Sequence, residues 1–341
     1  MFRIILFCIF ISISFSCLCI NTYDEQSSVI PVILDTDIGN DIDDVLALQM
    51  LLNYEKSGKI KILGITISKC NPYAIEYLDG YCLYNNRQEI PIGYAYGGVT
   101  PDHGNYLRQV LDTVVEGKKI LAPQRSIRSN IPEGYKLLRK LLASQKDNSV
   151  IFIALGPETN LARLLNSGSD EYSDLNGEEL VRRKVKLLSV MGGLYGKEFD
   201  FPEWNIVNDL KSAQTTFSRW PTLLIASGWE LGNKIHYPHE SILNDFLNGE
   251  KHPLCVSYKI FQKMPYDRDT WDLTSVLQAI ESDKEYFNLS KKGTIYIDSL
   301  GYSRFKSDEK GKHQYLIVPK KEQIKGIVDT LVHRVTNCCY K

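Results

Sequence analysis

The sequence carries no surplus of either charge: 40 Lys and Arg stand against 41 Asp and Glu, a formal net charge of −1. A general nucleic-acid binder shows a basic excess, so that class is excluded and no nucleic-acid partner is expected. Cysteine is sparse and irregularly placed. Beyond Cys19 there remain Cys70, Cys82, Cys255, Cys338 and Cys339, an odd count at uneven spacing that gives neither a disulfide framework nor a zinc pattern. Cys70 and Cys82 flank an expected helix and read as packed thiols. No repeat, low-complexity tract or interior linker interrupts the chain, so residues 29–341 read as one domain. A bilayer-spanning run is also missing. Arg3 followed by the apolar stretch Ile4 to Phe15 is too short to cross a membrane comfortably and reads as an export signal over residues 1–20. Residues 21–28 then form a short exposed lead.

Ser14-Phe15-Ser16-Cys17 is a loose lipoprotein box, in which Cys17 would be acylated. Such an anchor only tethers a soluble domain. The chain is therefore expected outside the cytoplasm, in the periplasm or cell envelope or secreted, with membrane contact only through that lipid.

What is present is an ordinary globular composition, 43% hydrophobic and 24% charged over 341 residues, enough to bury a large core. The stretch that organises it is residues 29–48. The β-branched run from Val29 to Leu34 reads as a buried strand, and it leads straight into Asp35, Asp37, Asp41, Asp43 and Asp44, with Gly39 and Asn40 between them. Val45, Leu46, Leu48, Leu51 and Leu52 then recur at helical spacing. One or two carboxylates there serve a helix start and its dipole. Five in one turn repel each other unless a cation lies among them, and all-oxygen ligands suit Ca²⁺ or Mg²⁺.

Strand and helix alternate thereafter, the pattern of an α/β fold with an open, mostly parallel sheet and helices on both faces. Strands are expected at Lys61 to Ser68, Ile90 to Tyr96, Ser149 to Leu155, Lys186 to Val190, Leu223 to Ala226, Thr294 to Asp298 and Gln314 to Val318. Helices are expected from Asn71-Pro72 to about Asn86, and over Tyr135 to Ser144, Leu161 to Leu165, Asp269 to Glu281 and Lys320 to Val335. The polar patch Ser167 to Arg183 reads as an exposed excursion. Polar residues and glycines collect at strand ends, where an open α/β sheet places its ligands.

Four segments carry a resemblance. The turn Asp35-Thr36-Asp37-Ile38-Gly39-Asn40-Asp41-Ile42-Asp43-Asp44, the segment Gly156-Pro157-Glu158-Thr159-Asn160, Met191-Gly192-Gly193 with Glu203-Trp204-Asn205, and Asp272 at a late helix start occur in this order. Together they resemble the signature of the inosine–uridine-preferring nucleoside hydrolases over about residues 29–280. The resemblance implies a Rossmann-like nucleoside hydrolase fold, a homodimer or homotetramer, and a nucleoside substrate. It implies Ca²⁺ held by Asp37, Asp44, Asp272 and the carbonyl of Leu155. Glu203 and Asn205 would bind the ribose 3′ and 5′ side, Asn71 would touch the ribose, and Asp43 would face its 2′-hydroxyl.

Two departures stand out. Two residues more than the commonest form lie between Gly39 and Asp43, so Asp41 is a rival to Asp43. Trp271 stands where many members carry the His that protonates the leaving base, and this Trp-Asp arrangement looks more like the purine-specific branch. Cleavage of the N-glycosidic bond of ribonucleosides, purines preferred, is then the expected activity. Water positioned by the metal attacks C1′ with Asp37 as base. Trp271 stacks on the base, Tyr96 is the candidate for its opposite face, and His103 is a candidate acid, its rival reading being a solvated loop side chain. Two other readings stay open: a nucleoside- or glycan-binding surface protein that keeps the metal site, and a Mg²⁺-dependent phosphohydrolase built on Asp35-Thr36-Asp37.

Overall fold

The structure is a computed structural model describing residues 29–98 and 106–336. The expected export signal, the lead, Cys17, His103, Cys338 and Cys339 lie outside the described residues. The strand Ile30–Thr36 occupies the middle of a ten-stranded sheet. Its residues alternate between the faces as a strand's geometry requires: Val32 and Leu34 enter one core cluster, Ile33 the other. Being buried on both faces, it is apolar without interruption until Asp35.

On one side of this strand the chain adds Ile60–Ile67 and then Ile92–Tyr94, both in parallel. It then returns to the other side and adds Val150–Ala154, Val185–Met191 and Leu223–Ser227, again in parallel. His313–Ile317 continues in parallel beside Leu223–Ser227, and antiparallel Gly293–Ile297 and Ser303–Ser307 close that edge. The expected mixed, mostly parallel α/β sheet is therefore present. The order reverses between Ile30–Thr36 and Val150–Ala154, and the crevice at their carboxyl ends is where an open α/β sheet binds ligands.

Helices cover both faces. Asp43–Lys56 packs against Trp271–Ile280 and against the closing helix Lys321–Thr336. Asn53 fixes that last contact by donating its Nδ2 to the carbonyls of Arg334 and Val335 at 2.9 and 2.7 Å. Gly134–Ala143, Thr159–Asn166 and Leu210–Arg219 lie with the second core cluster. Among the described residues no helix is long and apolar enough to cross a membrane.

Several elements differ from the sequence reading, which expected no helix at Leu210–Arg219 or Pro253–Phe261. Residues 177–184 are a helix, not an excursion: Asn176 and Glu179 form a reciprocal capping box, and Leu180 and Val181 turn inward. Its charge-rich outer face hides it from a hydrophobicity pattern. Ser303–Ser307 is an edge strand with mostly exposed side chains, so it lacks the apolar run that marks the central strands.

Candidate active site

The turn after Ile30–Thr36 aims its carboxylates inward because the backbone is tightly folded there. Gly39 has φ +103°, and a side chain on it would run into Leu107 at 2.3 Å. Thr36 ties the turn together, with its hydroxyl donating to Asp44 and receiving the Ile38 N–H at 3.1 Å. Gly156, just beyond the strand Val150–Ala154, lets a second loop close on this turn. A Cβ there would sit 2.6 to 2.8 Å from the side chain of Asp37.

These loops enclose a cavity of about 310 Å³, lined by Asp37, Asn40, Asp41, Asp43, Asp44, Leu155, Met191, Glu203, Trp204, Asn205, Trp229, Arg268, Trp271 and Asp272. That volume suits a small molecule. A larger cleft of about 870 Å³ lies along residues 125–172. Its arginines are already engaged, Arg125 by Asp79, Arg139 by Asp170 and Arg163 by Glu133, and no reactive groups converge there. The smaller cavity is the site.

Its floor is acidic. One carboxylate oxygen each from Asp43, Asp44 and Asp272 lies within 4.8 Å of the others, and all three side chains are buried. Burial, reinforced by the neighbouring carboxylates, holds these three groups well above the ordinary aspartate range. Asp37 is pushed up to about 7 by burial, opposed by the ammonium of Lys69, and its buried Oδ2 has no hydrogen-bond partner among the described residues. Each of these features is relieved by a cation in the cluster. The donors are oxygen only, which fits a hard divalent ion such as Ca²⁺.

Asp43 and Asp41 take different roles. Asp43 Oδ2 accepts the Asp272 N–H at 3.2 Å and so joins the two halves of the floor. Asp41 turns aside into a two-pronged ion pair with Arg268. Glu203 begins the short helix Trp204–Asn208 and accepts N–H bonds from Gly193, Asn205 and Ile206 at 3.1, 2.9 and 3.3 Å. Burial nonetheless lifts its carboxyl to about 7. Asn205 donates Nδ2 to the carbonyls of Leu155 and Met191 at 3.0 and 3.2 Å. The Leu155 oxygen keeps a second lone pair for another partner.

The opposite wall is aromatic. Trp204, Trp229 and Trp271 line the cavity, three of the chain's four tryptophans. Trp271 Nε1 donates to the Trp229 carbonyl at 2.8 Å, and the two rings lie 6.2 Å apart. Phe199 and Phe201 brace Trp229 edge-on, each at 4.9 Å.

Asp37, Asp43, Asp44, Leu155, Glu203, Asn205, Trp271 and Asp272, all singled out from sequence, thus meet in one cavity. Two expected residues do not line it. Asn71 caps the helix Pro72–Tyr84 by accepting the Tyr73 N–H at 2.9 Å. Tyr96 packs edge-on against Tyr94 and donates its hydroxyl to the Ile131 carbonyl at 3.1 Å, so it offers no second face to a base at Trp271. His103 lies outside the described residues. Sequence reasoning missed Trp229, Arg268 and the buried Lys69, whose Nζ lies 3.5 Å from Asn40 Oδ1.

The comparisons with known proteins agree with this geometry. The family model described as inosine-uridine preferring nucleoside hydrolase matches residues 32–303. A pyrimidine-specific ribonucleoside hydrolase of Enterobacter sp. (strain 638) is 27% identical over 209 residues, 58% of this chain and 59% of that protein. The match thus spans less than two thirds of that relative's length. Among solved structures, a plant nucleoside hydrolase superposes with TM-score 0.67 at 16% identity, covering 90% of this chain and 99% of its own. A purine-preferring ribonucleoside hydrolase from Gardnerella vaginalis also gives 0.67, at 14% identity, covering 90% and 98%.

Proposed function

The chain belongs to the inosine-uridine preferring nucleoside hydrolase family, and from that premise we propose that it is a Ca²⁺-dependent N-ribohydrolase of purine ribonucleosides. The observation that carries this reading is the division of one cavity between an acidic floor and a tryptophan wall. A ribose and a base need these two environments side by side.

Asp37, Asp44, Asp272 and the Leu155 carbonyl are the groups that would hold the ion, with Asp43 beside them. A cation there supplies positive charge that acidifies a neighbouring water and anchors the ribose diol. The chain's own residues account for the rest. Asp37 Oδ2, which has no partner among the described residues, receives the proton of the attacking water. Positive charge grows on the ribose as the bond to the base breaks, and the surrounding carboxylates stabilise it. Glu203 and Asn205 are held by backbone groups at two strand ends, so they meet the sugar hydroxyls without reorganising. A site that hydrogen-bonds a hydroxyl rejects analogues lacking it, hence discrimination against 2′-deoxynucleosides. Trp271 and Trp229 give the base an indole surface that favours the larger purine.

Export to the periplasm or cell envelope, Cys17 acylation and homo-oligomerisation remain part of this proposal on the sequence alone. The test is incubation of residues 21–341 with inosine, adenosine, guanosine, uridine and cytidine, with EDTA or Ca²⁺, following free base by chromatography. Base release abolished by EDTA and restored by Ca²⁺, purines first, is the expected result. A protein that binds Ca²⁺ yet releases base from no riboside overturns it.

A further inference from the structure

The family's leaving-group histidine is replaced by Trp271, and the cavity offers one cation in its vicinity that the sequence reading did not use. Arg268 lines the cavity three residues before Trp271. Its guanidinium carbon lies 5.1 Å from the Trp271 ring centroid and 5.2 Å from that of Phe261. Nε donates to Asp41 Oδ1 at 2.8 Å, and Nη2 donates to Asp41 Oδ2. The side chain is therefore fixed on three sides, by two rings and a carboxylate.

The count of its protons decides what it can do. A guanidinium has five N–H groups in a fork and no acceptor. Asp41 takes one from Nε and one from Nη2. The two on Nη1 and the second on Nη2 have no acceptor among the described residues, and they form the far end of the fork. Two adjacent donors of this kind match the O6/N7 edge of a 6-oxopurine, the pairing by which arginine reads guanine. Adenine presents N7 beside an amino donor, and clashes with one of them.

We propose that Arg268 binds the base edge of a 6-oxopurine ribonucleoside and stabilises it as it leaves, in place of a proton donor. This rests on the ribohydrolase reading above and names its substrate class. In the step, the bond between C1′ and the base nitrogen breaks and its electron pair stays with the base. The water oxygen bonds to C1′, and its proton passes to Asp37. The base departs as an anion whose charge, spread onto O6 and N7, is met by the guanidinium, and it takes a proton from solvent after release. Arginine is suited to this because its charge persists at every working pH. Asp41 keeps the fork oriented, which gives the additional residues of the turn a purpose.

The experiment measures kcat and KM of wild type, Arg268→Gln and Arg268→Lys on inosine, adenosine and p-nitrophenyl β-D-ribofuranoside. The nitrophenolate leaves readily, so it needs little help from the protein. Loss of one charge-stabilising donor set typically lowers turnover by about a hundredfold or more. Arg268→Gln is expected to lose about that factor in kcat on inosine, at least about tenfold more than on adenosine or on the nitrophenyl riboside. Arg268→Lys, with charge but no fork, recovers part of the inosine rate and not the preference for inosine over adenosine. An equal loss on all three substrates makes Arg268 a structural pin and overturns the inference alone, as does no loss on any. Wild type inert on all three overturns the ribohydrolase reading and this inference with it.

Discussion

Chelating the protein isolates the electrostatic cost of its own floor. Without a cation, Asp37 is pushed from 3.8 to about 7 by burial, and Asp43, Asp44 and Asp272 are pushed the same way. A group whose folded pKa is raised adds stability that is complete below its unfolded pKa and is lost as pH rises through the folded value. For Asp37 that window runs from about 4 to about 7. Between pH 5 and pH 8 the linkage amounts to about 3 kcal/mol for this one group. In a chain of this length that is about 4 °C in Tm. A bound cation removes the penalty, so the stabilisation by Ca²⁺ over EDTA should grow by at least about 4 °C from pH 5 to pH 8, the other three carboxylates adding to it.

His252 works against this in either state alone. Burial lowers it to about 4, so the folded protein loses stability as pH falls below the ordinary histidine range. It lies away from the cavity and cancels when the two melting curves are subtracted at each pH. The assay is differential scanning fluorimetry at saturating Ca²⁺ and in EDTA, at half-unit steps. A cation-induced shift that is flat or shrinks toward pH 8 refutes the idea that these carboxylates are crowded for want of a cation.

Three substitutions probe the same site from other directions. Asp272→Asn removes one like charge, so it should raise Tm in EDTA at pH 8, abolish the Ca²⁺-induced shift and lower inosine turnover about a thousandfold; retained turnover at unchanged Ca²⁺ dependence would remove Asp272 from the ligand set. Glu158 is fully buried, neither carboxyl oxygen has a hydrogen-bond partner among the described residues, and burial holds its pKa well above normal. Glu158→Leu should therefore stabilise the protein at pH 8 by about 2 kcal/mol, or about 3 °C in thermal melts, with a fall in Tm counting against an unpartnered carboxyl. Gly156→Ala forces a Cβ to within 2.8 Å of Asp37 and should cut turnover with the far-UV spectrum unchanged, whereas full activity means the loop yields freely.

Much of this was legible in the sequence because the chemistry is written in short segments at strand ends. An apolar β-branched run ending in Asp35 reads as a buried strand delivering carboxylates, and Gly156 follows a similar run. The missed residues look ordinary in their local sequence. Arg268 sits in Asp267-Arg268-Asp269, which reads as a solvated charge run until Asp41, 227 positions away, is found against it. Lys69 ends a strand and reads as a surface lysine, yet it is fully buried beside Asn40. Trp229 belongs to no motif; its role follows from the strand Leu223–Ser227 ending beside Trp271. Conversely Asn71 and Tyr96 sit at plausible strand ends, yet neither lines the cavity: Asn71 accepts the Tyr73 N–H and Tyr96 donates to the Ile131 carbonyl.

The longer turn and the missing histidine are two halves of one rearrangement. With the additional residues, Asp41 leaves the floor, and four carboxylates rather than five face the place a cation would take. Its half-buried charge then needs a partner within a cavity wall, because a partly desolvated carboxylate left unpaired is costly. Arg268 meets that need from the segment leading into Trp271–Ile280, and its flat guanidinium stacks on the indole that stands where the histidine would be. A protonated imidazole there would lend a proton, and would cease to above a pH set by its surroundings. An arginine cannot lend one, but its charge does not titrate away. A chain with this pair should therefore lack the basic limb that a leaving-group histidine imposes on kcat, and keep only the acidic limb set by the carboxylates of the floor. A basic limb that appears in kcat on inosine but is absent on the nitrophenyl riboside would mean that a true proton donor acts on the base after all.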